Sequence, residues 1–280
     1  MLNFLTIDKL IKEGLSEDMP FGDITTCSII DETSNCEVSL FAKENGIICG
    51  LPVFKEVFLL LGNVNITLNV SDGDSVSKGD KLATLSGNTR NILQGERLAL
   101  NLLQRMSGIA TLTNKYAEAL QGTKCKVVDT RKTTPLYRQL DKYSVTCGGG
   151  GNHRFSLSDS ILIKDNHIAA AGGIKNAVAL AKKFASFTTK IEVETETKEQ
   201  VLEAIASGAD IIMLDNMSPE MTKEMINLIN GKAITEAAGD ITLENIKEYA
   251  LAGVDYISVG ALTHSFKALD LSLKNLNLTN

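Results

Sequence analysis

The residues best able to do chemistry in this chain stand just after short apolar runs. Arg131 and Lys132 follow Val127-Val128 by way of Asp129 and Thr130, and Lys164 follows Ile161-Leu162-Ile163. Glu194 follows Ile191-Glu192-Val193, and Asp215 follows Ile211 to Leu214. Ala238, Gly239 and Asp240 follow Ile234 to Ala237, and Gly260-Ala261 follow Tyr256 to Val259. Cations close the first two runs, carboxylates the next two and small residues the last two.

Each group has a use. Arginine and lysine pair with carboxylate or phosphate oxygens, and arginine offers a planar fork. Two carboxylates are hard oxygen donors of the kind Mg²⁺ takes beside substrate phosphates. Small residues expose backbone amides, where a phosphate fits. Before Lys164 comes Gly148 to Gly151, then Asn152-His153-Arg154. The glycines let backbone approach a ligand closely, and His153 beside Arg154 is the better ligand contact among the three histidines. His167 and His264 read as structural hydrogen-bonders. No histidine has zinc-ligand spacing. The whole pattern predicts a site for an anion and a metal.

The elements that must position these residues alternate. Short strands begin near Val127, Ile161, Ile191, Ile211, Ile234 and Tyr256, with helical stretches between several of them. Ala177, Val178, Ala181 and Phe184 form one apolar stripe. Ser218 before Pro219 marks a helix start, and Thr242 reads as another N-cap. Gly208-Ala-Asp-Ile-Ile-Met-Leu214 echoes Gly253-Val-Asp-Tyr-Ile-Ser-Val259, each a glycine ending a helix before a strand. Alternating βα units mean parallel strands, and six with short loops suggest a barrel, whose active site lies at the carboxyl ends. An open doubly wound sheet fits the same pattern.

Earlier, Ile7 to Leu15 reads as an amphipathic helix, and Glu37 to Cys49, Asn65 to Asn69 and Lys81 to Leu85 as strands. Val70 to Asp80 resembles the turn of biotinyl and lipoyl carrier domains, but no Met-Lys-Met-like hairpin follows; Gly73 and Gly79 then serve as turn residues. Ile92 to Gln104 reads as a helix with a stripe of Leu98, Leu102, Leu103 and Met106, and Arg97 beside it.

Composition excludes some classes. The 280 residues are 44% hydrophobic with a net charge of −6. An acidic chain is poorly suited to general nucleic-acid binding, which needs a broad basic face. No run approaches a membrane span. The five cysteines include no CxxC pair and read as reduced, packed thiols. The start lacks a signal peptide's basic-then-apolar order, and the protein is expected in the cytoplasm.

Read together, several segments resemble the quinolinate phosphoribosyltransferases, the carboxylating nicotinate-nucleotide pyrophosphorylases. They are Glu17 to Thr26, Gly95 to Asn101, Ser107 to Thr111, Asp129 to Pro135, Gly149 to Arg154, Leu162 to His167, Glu192 to Glu194, Met213 to Asn216 and Val259 to His264. The resemblance implies an α/β fold: an incomplete, six-stranded TIM-like α/β barrel over residues 108–265, with an N-terminal α/β sandwich domain over 1–107 joined by the tail 266–280. It implies a pentosyltransferase that joins quinolinate to phosphoribosyl pyrophosphate with Mg²⁺, giving nicotinate mononucleotide, pyrophosphate and carbon dioxide. Arg131, His153, Arg154 and Lys164 would hold the quinolinate carboxylates, helped by Thr130 and Lys132. Lys132 and Lys164 would also face the phosphoribosyl substrate. Glu194 and Asp215 would face ribose and metal. Ala238, Gly239 and Asp240, with Val259, Gly260 and Ala261, would hold the 5′-phosphate. Arg97 would enter a neighbouring subunit's site, which implies at least a homodimer. A Schiff-base role for Lys164 and a related pyrophosphorylase acting on another acid are rival readings.

Two departures stand out. The family often has Pro-Gly-Leu-Arg where this chain has Pro135-Leu-Tyr-Arg138. Its phosphate loop often reads Glu-Ala-Ser-Gly-Asn, and here it is Glu236-Ala-Ala-Gly-Asp240. Ala238 brings no hydroxyl and Asp240 adds a negative charge, so phosphate binding is expected to rest on backbone amides.

Overall fold

The computed structural model describes residues 2–279. By compactness the chain divides into two units. The first takes residues 1–114, 139–149 and 265–280; the second takes 115–138 and 150–264.

The first unit opens with α1 (Phe4–Asp18) and α2 (Ile24–Ile29). Ile7, Ile11 and Leu15, four residues apart, give α1 its buried stripe. Strands β1 (Asn35–Ala42) and β2 (Gly46–Ile47) follow, then α3 (Leu51–Leu61), β3 (Val64–Leu68), β4 (Ser75–Val76) and β5 (Lys81–Asn88). The chain continues into α4 (Thr89–Ala119). That helix is far longer than the expected 92–104; Leu102, Leu103 and Met106 are buried as expected. Gly73 and Gly79 hold positive φ (95° and 99°), which makes Val70 to Asp80 a pair of turns. Asp72 in that segment caps α3: its Oδ1 accepts the amides of Gly50 (3.0 Å) and Leu51 (2.9 Å).

The second unit begins with β6 (Lys126–Val128). The next helix, α5 (Arg138–Cys147), lies almost wholly in the first unit. Then come β7 (Ile161–Ile163), α6 (Asp165–Ala171), α7 (Ile174–Phe184), β8 (Ile191–Thr195), α8 (Lys198–Ser207), β9 (Ile211–Asp215), α9 (Pro219–Ile229), β10 (Ile234–Ala238), α10 (Ile246–Ala252), β11 (Tyr256–Ser258) and the short α11 (Ala261–His264). The last strand, β12 (Leu271–Thr279), returns to the first unit and pairs antiparallel with β1, in a sheet ordered β12-β1-β5-β3.

All six expected strands form one parallel sheet ordered β6-β11-β10-β9-β8-β7. The first strand pairs with the last, as in a closing barrel, but β6 and β7 do not pair. Gly151 makes a lone parallel bridge to Val128 at that gap. The barrel is therefore incomplete. Its core on the β7–β9 side gathers Val193, Val201, Ala204 and Ile212, none of them exposed.

Local signals act as their chemistry requires. Gly208 and Gly253 cap α8 and α10 in the left-handed region, at φ 70° and 101°. The aspartates of the echo also match: Asp210 accepts the Ile191 amide (2.9 Å) and Asp255 the Thr235 amide (3.0 Å). Ser218 caps α9 through the Met221 amide. Two expectations fail. The N-cap of α10 is Asn245, whose Oδ1 takes the Thr242 amide, so Thr242 lies a turn outside the helix. Phe184 is 91% exposed, because it is the last residue of α7 and points past the layer that buries Ile174 and Val178. Among the described residues no helix is long and apolar enough to cross a membrane.

Candidate functional site

At the carboxyl ends of the second unit's strands lies a cavity of about 730 Å³. Every strand of the six reaches it directly or through the loop that follows. Its lining includes Thr130, Arg131, Lys132, His153, Arg154 and Lys164. Glu194 and Asp215 face it from β8 and β9, and Ala238, Gly239, Asp240, Val259, Gly260 and Ala261 from the last two strands. Arg97 does not line it; it is an exposed residue of α4 in the first unit. A second cavity, of about 710 Å³, opens at the amino ends. There Lys124 pairs with Asp255 (3.0 Å) and Lys190 with Asp210 (3.4 Å), so much of its charge is already met.

The cationic side is built on Asp129, fully buried at the end of β6. Its Oδ2 accepts the Asn152 side-chain amide (2.8 Å) and its Oδ1 the His153 backbone amide (2.8 Å). One carboxylate thus fixes the loop after the glycines. Arg138 ties the facing loop, donating to Thr133 Oγ1 (3.1 Å) and to the Phe155 carbonyl (3.3 Å). Leu136 in that loop takes φ 68°, the left-handed region in which glycine is at ease. Leucine at the place where Pro-Gly-Leu-Arg has glycine therefore carries some strain.

The two arginines are underused. Arg131 Nε and Arg154 Nε are buried and have no protein partner among the described residues. Arg154 otherwise donates to the Ser160 carbonyl (3.0 Å). Burial, then the positive charge of Arg131, holds the Arg154 guanidinium below its ordinary pKa. Two guanidiniums that repel each other across a cavity form a receptor for an anion with more than one charged group.

His153 stands on a pair of buried acids that the sequence reading did not single out. Its Nε2 lies 3.2 Å from Glu192 and 3.4 Å from Glu236. The Arg154 amide donates to its Nδ1 at 2.7 Å, a bond that opposes protonation of that nitrogen. Burial works against a charged imidazole, but the two glutamates outweigh it and push its pKa up to about 10. Burial, then Glu236, raises the Glu192 carboxyl in turn. The signal was present in Glu192-Val-Glu194, whose alternation sends one acid to the cavity and the other toward the interior.

On the acidic side Lys164 forms an ion pair with Glu194. Asp215 accepts from the Asn216 side chain (2.8 Å). Burial first, and then the charge of Glu194, raises the Asp215 carboxyl above its usual range. An Asp215 carboxyl raised beside a second carboxylate is a donor that a divalent cation would relieve, and hard oxygens fit Mg²⁺. His167 is structural, as expected: its Nδ1 accepts the Lys164 amide and closes the first turn of α6. His264, expected to be structural, is also part of the cavity wall.

The small-residue side is tightly made. Gly239 has φ 87°, and a Cβ there would stand 2.0 Å from Asn216 Oδ1. Asp240 takes φ 47°, a conformation aspartate and asparagine share. Among the described residues, no protein acceptor takes the backbone amides of Gly239, Asp240, Gly260 and Ala261. Four open donors from two adjacent loops suit a phosphate.

Comparison with known proteins agrees with this geometry. The model of the quinolinate phosphoribosyl transferase C-terminal domain matches residues 109–274, and that of the N-terminal domain matches 23–107. A probable nicotinate-nucleotide pyrophosphorylase (carboxylating) of Bacillus subtilis is 48% identical over 280 residues, all of this chain and 96% of that protein. One from Methanocaldococcus jannaschii is 44% identical and covers 95% of each chain. The crystal structure of NadC from Streptococcus pyogenes superposes with a TM-score of 0.97 at 45% identity, over 100% of this chain and 99% of that one.

Proposed function

The chain belongs to the quinolinate phosphoribosyl transferase family, and from that premise we propose that it joins quinolinate to phosphoribosyl pyrophosphate, releasing pyrophosphate and carbon dioxide and leaving nicotinate mononucleotide. The observation that supports this most is the pair of buried, partnerless guanidinium nitrogens, Arg131 Nε and Arg154 Nε, opposite two carboxylates in one cavity. Quinolinate has two adjacent carboxylates, and this pair supplies two forks.

In this reading Arg131, Arg154, His153, Thr130 and Lys132 hold the acid with its ring nitrogen toward the sugar. The nitrogen attacks the anomeric carbon as pyrophosphate leaves. Glu194 and Asp215 stabilise the positive charge that develops on the ribose, and Lys132 and Lys164 the charge on the leaving group. The ribosylated ring nitrogen then draws the electrons of the adjacent carbon–carboxylate bond, and carbon dioxide departs. Bound at Glu194 and Asp215, Mg²⁺ would supply charge neutralisation for the pyrophosphate. The amides of Gly239, Asp240, Gly260 and Ala261 hold the 5′-phosphate, with the side chains of Ala238 and Val259 as apolar backing.

The test is turnover of quinolinate with phosphoribosyl pyrophosphate, followed as nicotinate mononucleotide by mass. Product is expected with Mg²⁺ and not with chelator, and Glu194→Gln with Asp215→Asn is expected to lower turnover by on the order of 100-fold. Product from free nicotinate at an equal rate would sink the dicarboxylate reading.

The same reading makes the protein a cytoplasmic homodimer or higher oligomer, in which Arg97 completes a neighbour's site. Arg97 is exposed and makes no ion pair among the described residues, which leaves it available. Mixing inactive Arg97→Ala and Arg131→Ala subunits is expected to restore part of the activity, because one site in the hybrid is then intact. No recovery at any ratio, with exchange shown by mass, removes the shared-site proposal.

A further inference from the structure

Outside the cavity, the first unit brings together two cysteines from distant parts of the chain. Cys49 precedes the first turn of α3 and is fully buried. Its backbone is pinned by Ser107, whose Oγ accepts the Cys49 amide (3.0 Å) and donates to the Cys49 carbonyl (3.1 Å). Cys147 ends α5 and is partly exposed. The two Sγ atoms and a carboxylate oxygen of Asp72 all lie within 4.8 Å of one another. Tyr143, one turn before Cys147, donates to Asp72 Oδ2 (2.8 Å), and the Cys49 thiol faces Ser144 Oγ (3.7 Å).

We propose that Cys49 and Cys147 are a reversible modification site, a dithiol that hydrogen peroxide converts to an internal disulfide. The two sulfurs are unlike. The Cys147 thiol is held below its ordinary pKa by its contact with the Cys49 thiol, against burial. Burial pushes the Cys49 thiol far up. The accessible sulfur is thus the nucleophile and the buried one keeps its proton. The Cys147 thiolate attacks one peroxide oxygen, the O–O bond breaks, and a sulfenic acid forms as hydroxide leaves. The Cys49 sulfur then attacks the Cys147 sulfur. Its proton goes to the departing hydroxyl, which leaves as water. The proton that Cys147 released on ionising neutralises the hydroxide, so two thiols lose two electrons in all and one peroxide becomes two waters. A divalent metal on the same three groups fits less well. Both oxygens of Asp72 are already in use, by two amides and a phenol, and Cys49 resists the ionisation a metal thiolate needs.

The test uses the full chain, reduced and then freed of reductant. Hydrogen peroxide is added, and remaining thiols are alkylated in denaturant and counted by intact mass. The count is expected to fall from five to three, with one crosslinked peptide pair joining Cys49 to Cys147, and dithiothreitol is expected to restore all five. In Cys49→Ala the sulfenic acid at Cys147 has no partner and is expected to be trapped by dimedone. The proposal is overturned by five alkylated thiols after peroxide, by a crosslink through Cys27, Cys36 or Cys125, or by sulfinic acid at Cys147 with Cys49 still alkylated. Stoichiometric zinc retained through desalting and protecting both thiols also overturns it. None of these readouts depends on turnover.

Discussion

Arg131→Ala is expected to lower kcat/KM for quinolinate by at least about 100-fold while leaving the fold as stable as before, or slightly more so. The loss follows from preorganised charge: a half-buried guanidinium fork lining the cavity is held ready for a carboxylate, and removal of one such donor costs on the order of 100- to 1,000-fold. The preserved stability follows from the ligand-free geometry. Arg131 Nε has no protein partner, and the charge of Arg131 disfavours its neighbour Arg154. Removing it relieves a repulsion and breaks no side-chain bond; its carbonyl, which accepts from Arg138, stays. Arg131→Lys keeps the charge and loses the fork, so it is expected to fall between the two. Steady-state kinetics and denaturant unfolding on the same preparations check both halves. Near-normal turnover removes Arg131 from the dicarboxylate site, and a large loss of stability makes it a structural residue.

His153→Ala is expected to do the opposite, costing stability heavily as well as activity. The imidazole faces two acids whose side chains are only 2% and 6% exposed. Taking one partner from a buried charge cluster costs about 3–5 kcal/mol, because the remaining charges stay unpaired. Glu236 Oε1 already has no hydrogen-bond partner, so the cluster has little left to fall back on. The pH dependence has a definite sign. The folded imidazole pKa is raised, from 6.5 to about 10. Its stabilisation is therefore whole below pH 6.5 and is lost as pH rises through about 10. The gap between the native protein and His153→Ala should be widest near pH 6.5 and narrow steadily toward pH 10. A gap that stays constant across that window would show that the imidazole is held neutral by the Arg154 amide at Nδ1 and acts only as a hydrogen-bond donor.

The fates of these two side chains separate what each level of structure decides. Arg131, Lys164, Glu194 and Asp215 could be picked out from the chain alone because strand periodicity is local. An apolar run that ends on a charge puts that charge at a strand end, and parallel βα units put all such ends on one face. The glycines at 208, 239, 253 and 260 were legible for a similar reason, since caps and tight turns demand positive φ or bare backbone within a few residues. The incomplete closure was not legible. Whether β6 meets β7 depends on how residues 129–160 fill the gap, and Gly151 at Val128 takes a place no period announces.

Four things rested on tertiary structure. Asp129 gave no sign in sequence that it would be fully buried and hold Asn152 and His153. Glu192 and Glu236 lie on different strands, and only the barrel's curvature aims both at one imidazole. Phe184 shared a helical period with buried residues and is nevertheless exposed, since a stripe is buried only as far as its neighbours extend. Of the five cysteines expected as packed thiols, Cys27 is exposed and Cys147 only partly buried, and nothing in the sequence set the Cys49 and Cys147 sulfurs within 4.8 Å of each other. The sequence alone determined the alternation of elements, their caps and the chemical types that reach the strand ends, because those follow from spacing along the backbone. The folded chain decided which of these groups are neighbours and which are left without partners, because charge coupling, desolvation and sulfur proximity depend on distances through space.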